Sequence, residues 1–251
     1  MEQSPFVFLL GGHDLEMIEI KKILSSKNLL CFDKNLQRNN AQLSQHKEVL
    51  NDQDYFVGIE LESDLTPPSK YKLIDHHNQN AGNPSSIEQV ANMLNIQLTR
   101  EQQLVAANDR GYIPAMIEMG ATPYEIAEIR RRDREAQGVT AEDEWLAEAS
   151  IRDQMRVIKG ITVIRSHTPR FSAIYDRLYP CSKLLIYTDN ELAYYGDGVP
   201  ALIHAYQHLI TQKKAYYGGG SNGFFGIYKN KFTTEGLIQL RQEIILLIHL
   251  T

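Results

Sequence analysis

The sequence predicts an α/β protein with a parallel-sheet domain followed by a second, smaller α+β domain. In the first half, short apolar runs alternate with helical patterns, which is typical of βαβ units and a mostly parallel sheet. In the last third, the order of strand-like and helical segments changes. The charge changes as well, since residues up to 153 carry 25 acidic and 15 basic side chains and the remaining residues carry 6 and 11. We therefore expect two domains, residues 1–155 and 156–251.

Four strands are predicted in the first half. Phe6–Leu10 is an uninterrupted apolar run that ends at Gly11-Gly12, as a buried strand would. The apolar residues between 15 and 24 then fit one broad helical face. Three further apolar runs are bounded by polar or Pro-containing stretches: Leu29–Phe32, Tyr55–Leu61 and Tyr71–Ile74.

Capping signals predict the helices that follow. Ser85-x-x-Glu88 and Thr99-x-x-Gln102 are capping boxes, and Thr122-Pro123 places proline at a first helical position. The pattern from Thr140 to Lys159 predicts one long helix that stops at Gly160. Beyond it we expect strands at Ile161–Ile164 and Leu184–Tyr187 and helices at Ala201–Ile210 and Thr234–Ile248.

The composition is that of a soluble globular protein. The 251 residues are 43% hydrophobic, and their net charge of −5 favours neither duplex DNA nor an anionic membrane as a partner. No run reaches the roughly 18 apolar residues of a membrane span, and the N-terminus lacks the basic segment of a signal peptide. Cys31 and Cys181 form no CxxC pattern, so we expect a reducing compartment, the cytoplasm.

Four acidic or histidine-containing clusters follow predicted elements. Asp109 ends the helix that begins near Thr99, and the other three come directly after strands: His13-Asp14-Leu15-Glu16, Glu60-Leu61-Glu62 and Asp75-His76-His77. Ligands of open parallel sheets bind beyond the carboxyl ends of the strands, so these clusters are expected to converge on one crevice. Each strand-end carboxylate taken singly is more often structural, whereas the His-His pair after an apolar strand is a rarer pattern.

Carboxylates and imidazoles without thiolates suit Mn²⁺, Mg²⁺ or Fe²⁺ better than a structural zinc. A bridging carboxylate such as Glu60 could hold two ions roughly 3.5–4 Å apart, as in two-metal phosphoesterases. Such ions would lower the pKa of a shared water and neutralise the charge that builds on phosphoryl oxygens. The residue types therefore favour metal-assisted phosphoester hydrolysis.

The segment Ile74-Asp-His-His-Asn78 resembles the signature of the DHH phosphoesterase superfamily. That superfamily comprises oligoribonucleases, cyclic-dinucleotide and phosphoadenosine phosphatases, single-strand exonucleases and the related family II pyrophosphatases. The order of the four clusters agrees with the family's four motifs. Near the C-terminus, Tyr217–Phe224 resembles the glycine-rich loop of the family's smaller second domain, although three glycines serve equally well in a tight turn.

The resemblance implies a role for each matching residue. Two Mn²⁺ ions are expected, and the metal ligands would be His13, Asp14, Glu16, Glu60, His76 and Asp109. His77 would lie beside the scissile phosphate, with Asp75 supporting the imidazoles. The substrate would contact the glycine-rich loop through Gly218, Gly219, Gly220 and Asn222. Arg110, beside Asp109, could grip phosphate oxygens with its guanidinium.

Three positions depart from the family pattern. Leu10 stands where the first motif has a histidine, so His13 would have to take over that role. Glu16 and Glu60 replace aspartates, and each adds roughly 1.5 Å of reach.

The basic run Arg130–Arg134 resembles a phosphate hook, but nearby glutamates at i±3 and i±4 favour a solvated, salt-bridged helix face.

These observations predict a hydrolase, a Mn²⁺-dependent phosphoesterase that uses a metal-activated water on a nucleotide or short oligonucleotide. An inorganic pyrophosphatase or polyphosphatase is one alternative, and a non-catalytic nucleotide sensor is an alternative of another class. The expected partners are a small phosphorylated substrate and, in a homodimer, a second copy of the chain. The acidic first half would hold cations, and the basic second half would meet the substrate's negative charge.

Overall fold

The computed structural model describes residues 6–37, 40–77, 80, 82–218 and 223–251. The chain divides into two compact units, Met1–Gln137 and Gly138–Thr251. The sequence places the domain boundary later, between residues 155 and 156. The difference arises because the helix Ala141–Gln154 packs on the strand Ile161–Arg165 and the helix Phe171–Leu178, which both belong to the second unit.

A four-stranded parallel sheet forms the centre of the first unit. Its strands are β1 (Phe6–Leu10), β2 (Leu30–Phe32), β3 (Tyr55–Ile59) and β4 (Tyr71–Ile74). They lie in the order β2-β1-β3-β4, and each neighbouring pair is parallel. The parallel sheet predicted for the first half is therefore confirmed. Because β1, β3 and β4 run in one direction, the segments that follow them leave the sheet at the same edge.

Four helices complete the first unit: α1 (Leu15–Ser26), α2 (Ser86–Met93), α3 (Arg100–Glu118) and α4 (Pro123–Ala136). The capping boxes predicted at Ser85 and Thr99 are both formed, and Thr122 caps α4 in the same way. Leu15, Ile20 and Leu24 of α1 are buried, and α1 packs on α2 and α3. The helices thus cover a sheet whose apolar residues form the core.

A six-stranded mixed sheet forms the centre of the second unit. Its strands are β5 (Met155–Ile158), β6 (Ile161–Arg165), β7 (Lys183–Tyr187), β8 (Leu192–Gly196), β9 (Ala215–Gly218) and β10 (Phe224–Ile227). The order is β5-β6-β7-β8-β10-β9, in which β6 and β7 are parallel and the other neighbours antiparallel. The predicted α+β character of the smaller domain is confirmed.

Helices lie on both faces of this second sheet: α5 (Ala141–Gln154), α6 (Phe171–Leu178), α7 (Val199–Ala205), α8 (Gln207–Thr211) and α9 (Thr234–Leu250). Ile164, Leu184 and Ile186 belong to one core cluster with residues of α5 and α6. Ile161, Val163 and Leu185 belong to another with residues of α7 and α9. Within the residues described, no helix combines the length and apolar character needed to cross a membrane.

The prediction of one long helix from Thr140 to Lys159 is wrong. The helix ends at Gln154, and β5 and β6 form an antiparallel hairpin in which Ile158 pairs with Ile161. Lys159 (φ 52°) and Gly160 (φ 80°) form the two-residue connection, and both have the positive φ that such a tight hairpin turn requires. Gly160 therefore lies in a hairpin turn. Glycine is also common directly after a helix, so the residue type alone does not distinguish the two.

The predicted helix Ala201–Ile210 is two helices, α7 and α8, which meet at Tyr206. Strands β8, β9 and β10 and the helix α6 lie in segments for which we predicted no element. Tyrosines and glycines are neighbours in these strands, as in Tyr216-Tyr217-Gly218. This composition obscures the alternation of apolar and polar residues from which a strand is predicted.

We expect the Asp143 carboxylate at the start of α5 to stabilise the second unit in a pH-dependent way. Its oxygens accept hydrogen bonds from Thr168 Oγ1 (2.6 Å), Thr140 Oγ1 (2.9 Å) and Thr140 N (3.0 Å). These bonds, the Thr168 hydroxyl foremost, hold the pKa of Asp143 below its ordinary value of 3.8. A depressed folded-state pKa contributes stability above the unfolded-state value, and this contribution is lost as the pH falls through the folded-state value.

Asp143→Asn should therefore lower the thermal midpoint of the whole chain at pH 7, by an amount that corresponds to about 1 kcal/mol. The difference from wild type should shrink progressively as the pH falls below about 3.8. Glu142→Gln, at an exposed position of the same helical turn, is the matched control and should leave the midpoint unchanged. An equal loss at pH 7 and pH 3 would contradict the electrostatic explanation.

Candidate metal centre

Three of the four acidic or histidine-containing clusters follow β1, β3 and β4 at their carboxyl ends. Asp14 and Glu16 come after β1, Glu60 directly follows β3, and Asp75-His76-His77 directly follows β4. Side chains at this edge of a parallel sheet can meet in one place. The structure brings Glu16, Glu60 and His76 together at this edge.

Asp14 and Glu16 are both buried at the start of α1, with 1% and 2% of their surface exposed. Asp14 is the N-cap, and its Oδ1 accepts a hydrogen bond from Met17 N (2.9 Å). Glu16 Oε1 accepts one from Ile87 N (3.0 Å) in the first turn of α2. Helix N-termini favour carboxylates, so both positions are locally stabilised.

Glu60 is held by an unusual backbone conformation at the end of β3. Its φ of 53° lies in the left-handed region, which few non-glycine residues adopt. The backbone of β3 approaches Gly11 so closely that a Cβ there would lie 2.4 Å from Ile59 O and 2.5 Å from Glu60 O. Only glycine fits at position 11 without a shift. The side chain of Glu60 then accepts a hydrogen bond at Oε1 from Ser86 Oγ (2.8 Å).

His76 lies at the centre of the group. Its Nε2 is 2.6 Å from Asp109 Oδ2, 3.4 Å from Glu60 Oε1 and 3.7 Å from Glu16 Oε2. The imidazole is 5% exposed. None of these contacts has hydrogen-bond geometry, so His76 Nε2 and Glu16 Oε2 are buried without a hydrogen-bond partner among the described residues. Buried polar atoms of this kind are rare in folded proteins and commonly contact an ion or water.

The electrostatics of the group favour a cation. Burial raises the pKa of Glu16, and the carboxylates of Asp109, Glu60 and Asp14 raise it further, whereas His76 lowers it. Burial lowers the pKa of His76, but the carboxylates of Asp109, Glu16 and Glu60 outweigh this effect and raise the pKa to about 12. One imidazolium cannot neutralise several buried carboxylates, and buried charges are costly unless they are paired or coordinate a metal.

His77 and Asp75 form a hydrogen-bonded pair beside the group around His76. Asp75 Oδ1 accepts hydrogen bonds from His77 N (3.0 Å) and from His77 Nδ1 (3.1 Å), and Oδ2 accepts one from Asn80 Nδ2 (2.8 Å). Burial raises the pKa of Asp75, but these bonds outweigh it and lower the pKa to about 2. Asp75 therefore stays ionised and orients the His77 ring, whose side chain is 35% exposed.

Four side chains of this region could hold a metal ion, because one ligand atom from each lies within 4.8 Å of the others: Glu60, His76, His77 and Asp109. Oxygen and imidazole donors without a thiolate suit Mn²⁺, Mg²⁺ or Fe²⁺. The donor set and the buried unpartnered atoms of Glu16 and His76 thus fit the group that the sequence implied.

Asp109 lies just before a break in α3, close to where the sequence predicts the end of the helix that begins near Thr99. The helical conformation is interrupted at Gly111 (φ −162°, ψ 24°) and Tyr112 (φ 55°, ψ −145°). The Arg130 guanidinium lies 5.1 Å from the centre of the Tyr112 ring and donates to Asn108 Oδ1 and to Asp133 Oδ2, both at 2.8 Å. Arg130 is 2% exposed. This buried network fixes the helix on both sides of Asp109.

The expectation of a solvated face for Arg130–Arg134 is therefore only partly correct. Arg131 does pair with Glu128 (2.6 Å) and Glu135 (2.5 Å) at the surface. Arg130 and Arg134 are buried, however, because α4 packs on α3. The spacing of charges along one helix cannot show which of its faces meets another helix.

Not every residue assigned by sequence joins the group. Leu10 is fully buried in the apolar core. His13 lines a separate surface cavity with Lys21 and Asp33. The Arg110 guanidinium is 42% exposed and lies 3.7 Å from Glu88. Gly218 ends β9 in the second unit, whereas Asn78, Gly219, Gly220 and Asn222 lie outside the described residues.

Replacement of Arg130 should show how strongly the buried network supports the site. Arg130→Met leaves Asp133 and Asn108 without this partner, and breaking a buried ion pair typically costs about 3–5 kcal/mol. Arg131→Met, on the same helix, removes only exposed pairs and should cost less than about 1 kcal/mol. Urea unfolding of both variants measures the difference, and equal losses would argue against the network.

Divalent metal should stabilise the whole chain. A ligand at 100 times its Kd adds about 2.7 kcal/mol to the free energy of unfolding, so millimolar Mn²⁺ should raise the thermal midpoint. His76→Ala should abolish this shift, whereas His204→Ala, an exposed histidine of the second unit, should keep it. A shift that survives in His76→Ala would mean that the ion binds elsewhere.

No protein-family model matches the chain, and no curated protein matches its sequence. Among solved structures, the pGpG-specific phosphodiesterase PggH from Vibrio cholerae is similar with a TM-score of 0.51 and 14% sequence identity, over 98% of this chain and 99% of that one. The DHH domain of a member of a ribosomal-protein family has a TM-score of 0.49 and 9% identity, over 95% of this chain and 86% of that one. The likeness to PggH shows the fold of this chain over nearly its whole length, and that fold is the two-unit α/β architecture that the sequence resemblance implied.

Proposed function

We propose that the chain is a divergent member of the DHH phosphoesterase superfamily, a metal-dependent hydrolase that acts on a short oligonucleotide or nucleotide. The observation that carries the proposal is the convergence of Glu60, His76, His77 and Asp109 within 4.8 Å at the carboxyl ends of parallel strands. The same residues match the superfamily's motifs in the sequence resemblance, and the chain has a fold similar to that of a phosphodiesterase.

The buried carboxylates and His76 would hold the metal. Glu16, Glu60 and Asp109 approach the Nε2 of His76 from different elements, and Asp14 lies close enough to raise the pKa of Glu16. Bound divalent ions supply an acidified water and neutralise charge on phosphoryl oxygens. The oxygen and imidazole donors suit Mn²⁺, Mg²⁺ or Fe²⁺, and among these we assign Mn²⁺ because the resemblance to the superfamily implies it.

His77 is assigned to the substrate. Its Nδ1 carries a hydrogen that it donates to Asp75, so that Nε2 is the nitrogen that can accept or transfer a proton. The exposed third of the side chain makes the ring reachable from solvent. Asp75 therefore acts as the positioning residue that holds the tautomer and orientation of His77.

A nucleotide chain is favoured over inorganic pyrophosphate. A pyrophosphatase would need cations that converge on the site, and the basic run of α4 does not supply them. Arg130 bonds Asp133, Arg131 bonds glutamates of its own helix, and Arg132 bonds Glu19 and Glu101. The similar solved structure is named for its action on pGpG, which supports a linear dinucleotide as the first substrate to test.

Mn²⁺-dependent hydrolysis should be measured on pGpG, pApA, a cyclic dinucleotide and pyrophosphate. We expect cleavage of the linear dinucleotides, and a loss of at least about 100-fold in kcat for His77→Asn, since a positioned proton-transfer group contributes typically 10²–10⁴-fold. His76→Ala should be inactive and His204→Ala should match wild type.

Other outcomes would contradict parts of the proposal. Binding of a dinucleotide without turnover, in the presence of bound Mn²⁺, would indicate the non-catalytic sensor. Preferential cleavage of pyrophosphate would indicate the pyrophosphatase. Activity that persists in His76→Ala would remove this centre from the reaction.

A further inference from the structure

A basic groove lies in the second unit, beside the edge strand β5. Its larger cavity has a volume of about 670 Å³, and the lining includes residues of β5, β6, β7 and α9. A smaller cavity of about 210 Å³ shares Arg165, Tyr187 and Arg241 with it, so the two cavities adjoin, and together they are the groove. Strand β5 is one edge of the sheet and β9 is the other. The larger cavity therefore lies at the edge of the sheet opposite β9.

The groove exists because α9 covers only part of its face of the sheet. The apolar residues of α9 pack in one core cluster with Val163 and Ile161 of β6. Register places Arg156 opposite Val163 and Ile158 opposite Ile161, so these two residues of β5 lie on the same face. Ile158 is nevertheless 40% exposed and Leu246 of α9 is 47% exposed. An apolar floor is thus left open beside the edge strand.

The charge of the groove is positive. Arg156, Lys159 and Arg241 line the larger cavity, which has no carboxylate among its lining residues. The smaller cavity has one carboxylate, Asp189. In the described part of the chain none of the three basic residues forms an ion pair, whereas Arg165 is paired with Asp189 (2.9 and 3.0 Å). Glu243, the acidic residue nearest in sequence on α9, does not line the groove.

The groove also has surfaces on which a flat, partly apolar group can lie. The Arg241 guanidinium stacks on the Tyr187 ring at 4.1 Å from its centre, and guanidinium planes are common stacking partners of unpaired bases. Gln154 and Gln242 offer amide groups at its rim. Cations for phosphates, a stacked guanidinium and an aliphatic floor are the elements of single-strand recognition.

The geometry points to a binding site for a short single-stranded oligonucleotide in this groove. Its phosphates contact Arg156, Lys159 and Arg241, and a base lies against the guanidinium of Arg241 or the aliphatic floor. The two adjoining cavities together are larger than a mononucleotide needs, which favours a linear ligand. This site goes beyond the metal centre of the first unit, and it can bind whether or not that centre is catalytic.

The test uses the full chain in EDTA, which prevents metal-dependent cleavage, and measures fluorescence anisotropy of 5′-fluorescein-labelled hexathymidylate. Arg156→Glu/Lys159→Glu should weaken binding at least 10-fold. The loss of two phosphate contacts should also reduce the slope of log K against log salt by about 1.4. The matched control is Lys213→Glu/Lys231→Glu, which changes the same charge at exposed positions outside the groove and should bind as wild type does.

Arg241→Lys keeps the charge and removes the planar stacking surface, so it should weaken hexathymidylate binding without changing the affinity for inorganic tripolyphosphate. The proposal is overturned if wild type does not bind the probe, if groove and control variants lose affinity equally, or if tripolyphosphate or a hexamer duplex competes as well as unlabelled hexathymidylate. Groove variants should retain Mn²⁺-dependent dinucleotide cleavage, so a failure of this site and a failure of the proposed hydrolase are distinguishable.

Discussion

The convergence of buried carboxylates on His76 is the constraint on which the first unit depends. Glu16, Glu60 and Asp109 all lie within 3.7 Å of one imidazole nitrogen, although like charges repel and burial disfavours ionised groups. Each carboxylate must therefore be held from outside the cluster. On the sheet side, Glu60 is held by its left-handed backbone conformation and by the close approach of Gly11. On the side of α3, the hydrogen bonds of Arg130 hold the helix around Asp109.

The N-terminus of α2 is the shared support of two of these carboxylates. Ile87 N donates to Glu16 Oε1 and Ser86 Oγ donates to Glu60 Oε1. A helix N-terminus carries partial positive charge and unpaired N–H groups, so it stabilises nearby anions. The Ser85–Glu88 capping box fixes where that helix begins. A local signal readable in the sequence thus sets the position of groups that are far apart along the chain.

Much of this site follows from local sequence patterns, and the remainder depends on packing between elements. Apolar runs predicted the strands of the parallel sheet, and parallel strands bring Glu16, Glu60 and His76 to one edge. The burial of Arg130 could not be predicted, because helical spacing shows the same i±3 and i±4 glutamates whether a face meets solvent or another helix. The hairpin at Lys159-Gly160 could not be predicted for a related reason. Glycine after a helical pattern fits both a helix end and a hairpin turn, and only the pairing of the strands decides between them.

The longer side chain at position 16 has a structural consequence. Glu16 is one methylene longer than an aspartate, and its two oxygens have different partners. Oε1 accepts from Ile87 N at 3.0 Å, whereas Oε2 faces His76 at 3.7 Å. An aspartate is roughly 1.5 Å shorter, so from the same backbone position it would not reach both. Glu16 therefore couples the start of α2 directly to the centre. The one side chain both contacts the buried cluster and stabilises the fold.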